Sequence, residues 1–318
     1  MRRAVIASFA LVLGLFLCAA LSAAKDDDAV ACYNRGKAYY DKGDFAHAIQ
    51  EFAKAIELKA DYADAYCGRG NAYLGRGEID GAIEDYTKAI ELKPKDALGY
   101  FNRGLAYGEK GDYDRSIQDF TKAIELKPDA TSAYRRRGAI YARKGDGARA
   151  IQDFTKALGV NPADEYACRG RGLVYLNDGQ YDLAIGDLSR LIELKPDDAV
   201  ARVRLFLAKE RLGQDGRTAL AEWRKGLKEG EWMSQVVRML LGEITPEQLL
   251  VSAADADPKS DAKKKCAGHY YVGQFYYLRG EKDRARESFT KCVATGATNA
   301  GEYFSAQAEL KRLEKPKP

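Results

Sequence analysis

Five arginines recur at intervals of 34 residues: Arg35, Arg69, Arg103, Arg137 and Arg171. Sixteen residues after each stands an acid: Glu51, Asp85, Asp119, Asp153 and Asp187. A guanidinium can hold a carboxylate or phosphate through two parallel hydrogen bonds, so a row of five could grip an anionic partner. The acids repeat as faithfully as the arginines, however. The pattern is therefore read as internal: arginine on one helix, acid on the facing helix of an antiparallel pair, orienting the two.

The other residues with chemical potential are scattered. Of the two histidines, His47 lies on an amphipathic helical stretch and His269 takes the place of an aromatic residue. Neither has a partner at metal-ligand spacing, and there is no Cys-x-x-Cys. Gly68-Arg69-Gly70 and Gly170-Arg171-Gly172 look glycine-rich but fall inside helical segments, whereas a phosphate loop needs a strand-to-helix turn. No catalytic constellation, metal site or cofactor site emerges, and a non-enzymatic protein is expected. The net charge is only +4, and the compact basic run within the repeats is Arg135-Arg136-Arg137. Such a run is normally a solvated helix face, so neither nucleic acid nor a small-molecule substrate is indicated.

What positions the arginines is a repeat. Each precedes a glycine, Gly36, Gly70, Gly104, Gly138 or Gly172, at the same 34-residue interval. In the second repeat, helix A is predicted over about 63–76 and helix B over about 79–93. Gly70 and Ala82 are small where the helices cross, and Tyr73 and Tyr86 fill the space around them. Gly77 ends helix A with positive φ, and Pro94 stops helix B because it cannot continue the hydrogen-bond ladder. After Pro196 the pattern decays through 199–254. A final repeat follows, with Gly273, Tyr276, Gly280, Ala285 and Phe289 in register and Asn299 capping a last helix. Residues 255–265 read as a polar connector. The fold expected is all-α: a superhelical solenoid of antiparallel helix pairs, five regular repeats over 25–198, a degenerate repeat and short helices over 199–254, and a connector, last repeat and capping helix over 255–318.

The 34-residue sentence, with these glycine, tyrosine and proline positions, resembles the tetratricopeptide repeat (TPR) family over residues 29–196. That resemblance implies a concave face lined by the A helices that binds peptides or helices. Carried over, the candidate groove residues are Tyr33, Lys37, Asn71, Phe101, Arg135, Arg143, Tyr166 and Arg169. The groove would be apolar and aromatic in the middle and cationic toward one end, suiting a peptide with apolar anchors and an acidic group. Lys37 and Asn71 match a carboxylate clamp only in part, because Leu105 and Ser132 occupy its next places. The tail, from LLGEITPEQLL to GEYFSAQAEL, resembles the NlpI type of bacterial envelope TPR protein. This implies an adaptor that forms a homodimer and brings cell-wall hydrolases together with a protease or other wall enzymes.

The first 24 residues read as a signal peptide: Arg2-Arg3, an apolar run from Ala4 to Leu17, then Ser22-Ala23-Ala24 as a small-x-small cleavage site. A lipid anchor on Cys18 would need a small residue before it, and Leu17 is not small. Export to the periplasm places the remaining cysteines in an oxidising compartment. Cys266 and Cys292 sit where antiparallel packing brings helix ends together, so a disulfide is expected there, with two separate buried thiols as the alternative. Cys32 and Cys67 lie at similar places on neighbouring A helices, and Cys168 is left over. The expectation is an exported scaffold whose partners are proteins or peptides. The alternative is a structural component that dimerises or stiffens an envelope complex without groove docking.

Overall fold

The computed structural model describes residues 25–253, 258–298 and 300–314. The signal peptide, Cys18 and the Asn299 cap lie outside them. Every regular element among the described residues is a helix. The chain forms two compact units, one ending at Ile140 and one beginning at Tyr141.

The first unit contains α1 (25–41), α2 (Phe45–Leu58), α3 (Ala63–Gly75), α4 (Ile79–Leu92), α5 (Ala97–Lys110), α6 (Tyr113–Leu126) and most of α7 (Thr131–Arg143). Helices α3 and α4 match the predicted bounds to one residue. A Cβ on Gly70 would lie 2.8 Å from the Tyr86 ring, which is fully buried. Any larger residue there would push the two helices apart. Gly111 closes α5 at φ 85°, and Asp112 then caps α6 by accepting the Arg115 N–H.

The arginine ladder is internal. Arg69 donates twice to Asp85 at 2.8 and 2.7 Å, and Arg103 twice to Asp119 at 2.8 and 2.9 Å. Arg35 meets Glu51 at 2.6 Å. The ladder also reaches further than one repeat. Arg103 Nη1 donates to Thr87 Oγ1 at 3.1 Å and Arg137 Nη1 to Thr121 Oγ1 at 2.8 Å, both on the preceding B helix. One guanidinium thus orients its own helix pair and ties it to the pair before.

The second unit continues with α8 (Gly147–Val160), α9 (Glu165–Asp178), α10 (Tyr181–Leu194), α11 (Ala199–Arg211), α12 (Arg217–Arg224), α13 (Trp232–Leu241), α14 (Pro246–Ser252), α15 (Pro258–Leu278), α16 (Lys282–Ala294) and α17 (Gly301–Glu314). Arg171 repeats the ladder, with Asp187 at 2.8 and 2.7 Å and Thr155 at 2.9 Å. The degenerate B helix, α12, stops after eight residues. Its place in the core is taken by α13 and α14, which bury Val236, Val237, Met239 and Leu249 against Tyr271 and Phe289. Thr245 and Gln248 form the expected capping box at α14, with Pro246 at its first position. The stretch expected to be a connector is mostly helix, since α15 already begins at Pro258. Proline suits a first helical position, and the run of lysines that follows has no helix breaker.

The last helix folds back. α17 packs on α15 and α16, and also on α9 of the fifth repeat. Arg312 donates to the carbonyls of Leu176 and Asn177 at 3.2 and 2.9 Å at the end of α9, where Leu176 also accepts the Gly179 N–H. Glu309 accepts from Arg211 of α11 and from Gln274 of α15, both at 2.9 Å.

Candidate docking surfaces

In the first unit the A helices α1, α3, α5 and α7 carry five of the candidate residues, and these divide into two kinds. Tyr33 is half-buried, its ring 5.6 Å from Phe52 and 5.3 Å from Tyr62, and burial pushes its hydroxyl above the ordinary tyrosine range. Phe101 is half-buried with its ring 5.6 Å from Phe120. Asn71 accepts the Tyr86 hydroxyl at 2.7 Å. These three side chains support the face as much as they present it. Lys37 is exposed and Arg135 half-exposed.

The side chains that open this face to solvent are others. Among the described residues of this unit the exposed large apolar ones are Val30, Tyr40 and Leu98, at 45%, 36% and 54%. All three stand at inner A-helix positions. Burying such residues in the repeat core would have been favourable at roughly 25 cal/mol per Å², so their shared exposure on one kind of surface marks it as different from the rest. Cys67 lies on the same face of α3, and burial pushes its thiol up to about 12, which leaves it a neutral packing residue.

In the second unit the candidates separate further. Tyr166 is 65% exposed on the first turn of α9. Arg169 forms a very short ion pair with Asp198, the N-cap of α11. Burial would raise the Asp198 pKa, but the Ala201 N–H and the Arg169 guanidinium outweigh it and hold the carboxyl below its usual range. Arg169 therefore fastens α9 to α11, a role its sequence position did not disclose. Arg143 is exposed beside a cleft of about 520 Å³, together with Lys144, Asn177 and Asp178. The far wall of this cleft is α17, through Phe304, Gln307 and Lys311. Tyr166 and Arg169 are not among its lining residues.

Among the described residues no three His, Cys, Asp or Glu side chains gather as a metal site. His47 sits on Asp44, Nδ1 to Oδ2 2.7 Å, at the start of α2. No described helix is long and apolar enough to cross a membrane. Cys266 and Cys292 face each other as thiols with the sulfurs 2.9 Å apart.

Comparison with known proteins agrees with this architecture. Models described as TPR repeat match residues 36–75 and 70–111, and models described as tetratricopeptide repeat match 97–130 and 145–199. No curated protein matches the chain. Similar solved structures include a tetratricopeptide repeat protein from Parabacteroides merdae, 18% identical with a TM-score of 0.57, covering 91% of this chain and 100% of that one. Another is pilF of Pseudomonas aeruginosa, 21% identical with a TM-score of 0.57, covering 67% of this chain and 97% of that one. A third is the C-terminal part of a TPR repeat-containing protein from Cytophaga hutchinsonii, 17% identical with a TM-score of 0.52, covering 89% of this chain and 100% of that part.

Proposed function

Starting from an all-α chain of tetratricopeptide repeats, we propose that this protein is an exported adaptor that docks peptide segments of envelope proteins on the inner face of its A helices. One observation carries the reading: the exposed apolar side chains of the first unit, Val30, Tyr40 and Leu98, all stand at inner positions of a frame whose charged ladder is already satisfied internally. A surface that offers apolar anchors between fixed helices suits a peptide whose alternate side chains fill the gaps, and rigidity limits what ordering costs on binding. In this reading Lys37 and Arg135 flank the anchors, while Tyr33, Asn71 and Phe101 hold them in place. In the second unit Tyr166 stands exposed on α9, and Arg169 holds that helix to α11.

Two further parts of the reading rest on sequence. The N-terminal pattern supports cleavage after Ala24 and a periplasmic location. The tail's likeness to the NlpI type supports a role in bringing a cell-wall hydrolase to a protease or another wall enzyme, as a homodimer.

The test is capture from an envelope extract with the mature chain, in parallel with Tyr40→Glu and Leu98→Glu variants. Leu98 is 54% exposed; the Tyr40 ring rests on Phe45, so the fold of that variant is checked by circular dichroism before capture. A partner identified by mass spectrometry, retained by the parent and lost by both variants, would support docking on this face. Equal recovery by all three would move the interface elsewhere and favour the structural alternative. The solvent-facing Leu183, Leu212 and Val251 of the second unit give that alternative a physical basis.

A further inference from the structure

The fold-back of α17 creates a surface that the repeat pattern alone would not. Its residues Phe304, Gln307, Ala308 and Lys311 stand three or four apart, so they share one helix face, and that face forms one wall of the 520 Å³ cleft. The opposite wall comes from the turn after α7 and the end of α9. The volume is within the range of about 300–1,000 Å³ typical of ligand clefts.

Three properties define what would fit. The charge is one-sided: Arg143 and Lys144 on one wall face Lys311 on the other, and Asp178 is the single carboxylate of the lining. The lining also has an apolar part, Val174 from α9 and Phe304 from α17. Three carboxamides complete it, Asn177, Gln180 and Gln307. Each can donate to a carbonyl and accept from an N–H, the two functions of a peptide backbone.

We propose that this cleft is a second docking site, built by α17, for an extended acidic peptide segment of a partner protein. The site is preorganised. Arg312 anchors the helix end to the α9 carbonyls, and the buried Glu309 is held by Arg211 and Gln274. Little is then lost in ordering the wall when a ligand arrives. Asp178 discriminates among anions. Its carboxylate stands against Gly147, close enough that a Cβ there would lie 2.8 Å from it. A polyphosphate backbone would place negative charge against Asp178 at every register. A peptide can present a carboxylate to Arg143 or Lys311 and a backbone N–H to Asp178.

This inference rests on the reading of the chain as a peptide-binding scaffold, and its test separates the two. The probe is an array of eight-residue peptides carrying two or three Asp or Glu residues around one apolar residue, beside matched peptides with Lys in place of the acids. Hits are measured in solution by fluorescence anisotropy on the mature chain. The expected result is binding of acidic members only, weakened tenfold or more by Lys311→Glu and by Arg143→Glu, with Arg190→Glu, a substitution outside the cleft lining, as the unaffected control. Both cleft positions are exposed, so the variants should fold as the parent does. Acidic peptides bound equally by the parent and by both cleft variants would overturn the proposal. So would a preference for an oligonucleotide of equal charge, or the absence of any acidic hit. If Leu98→Glu abolishes partner capture while the cleft variants change nothing, the adaptor reading stands and the second site falls.

Discussion

Arg211 and Glu309 lie 98 residues apart in sequence and meet at 2.9 Å, with side chains 5% and 9% exposed. Arg211 also donates to Gln274 at 2.6 Å and lies 3.4 Å from the centre of the Tyr277 ring. Arg312, 2.5 Å from the other Glu309 oxygen, completes the group. This knot, together with the packing of Tyr303, Ala306, Leu310 and Leu313 into the core, holds α17 where it forms the cleft wall.

Glu309→Ala should leave Arg211 buried without its counter-charge. Breaking a buried pair from one side costs about 3–5 kcal/mol, and the loss should appear as a lower urea midpoint. The only tryptophans, Trp223 and Trp232, are both in the second unit, so fluorescence reports on that unit alone. An unchanged midpoint would mean that α17 is held by its apolar contacts instead.

The ladder of the first unit makes a separate prediction. Arg103→Leu should destabilise by about 3 kcal/mol, and the cycle with Asp119→Leu should show coupling above about 1 kcal/mol. Thr87→Ala removes the inter-repeat bond from Arg103, together with the hydroxyl's own bond to the Ile83 carbonyl, and should cost about 1 kcal/mol. Circular dichroism is the readout, since this unit has no tryptophan. Additive effects of Arg103→Leu and Asp119→Leu would show that the pair does not orient the helices.

How much of this was legible follows from distance along the chain. A 34-residue period fixes helices whose contacts are all local, so α3, α4 and the Arg-acid pairs could be placed from spacing alone. The Arg to Thr bonds obey the same period, 16 residues in the other direction, and could have been found by asking what repeats before each arginine. Gly68 and Gly170 could not be read so simply. Each lets the aromatic ring of the previous repeat approach, since a Cβ would lie 2.6 Å from Phe52 and 2.4 Å from Phe154. The other repeats carry Asn34, Asn102 and Arg136 at that place, so no rule was visible. The position of α17 is set by Arg211, Gln274 and Glu309, which belong to no repeat, and nothing periodic announces them. In the same way Arg169 looked like a ligand handle until the structure placed Asp198, the N-cap of α11, against it.

Cys266 and Cys292 are poised for oxidation, each buried and facing the other across α15 and α16. In an oxidising compartment the expected product is a disulfide that closes a loop 26 residues apart in sequence. The chain-entropy model assigns such a loop roughly 3 kcal/mol. Alkylation of the exported, denatured protein without reductant should leave both residues unmodified, and reductant should add two adducts. Two adducts in both samples would refute the bridge and weaken the case for export.

Acid should loosen the second unit through His269. Burial lowers its pKa, and Lys291 of α16 and Lys265 on its own helix act in the same direction. The unfolded chain titrates near the ordinary value of about 6.5. Between that value and the lower folded one, the unfolded state binds more protons, so stability falls as pH decreases through this window and levels off below it. His269→Phe removes the titration and keeps a ring at a site where the repeat pattern calls for an aromatic. The urea midpoint, followed by tryptophan fluorescence, should drop between pH 7.5 and 5.5 in the parent by more than in the variant. Equal drops in the two would assign the acid sensitivity to other groups. Asp198 is the next candidate: its depressed pKa contributes stability above about 4 that is lost only as pH falls through the still lower folded value.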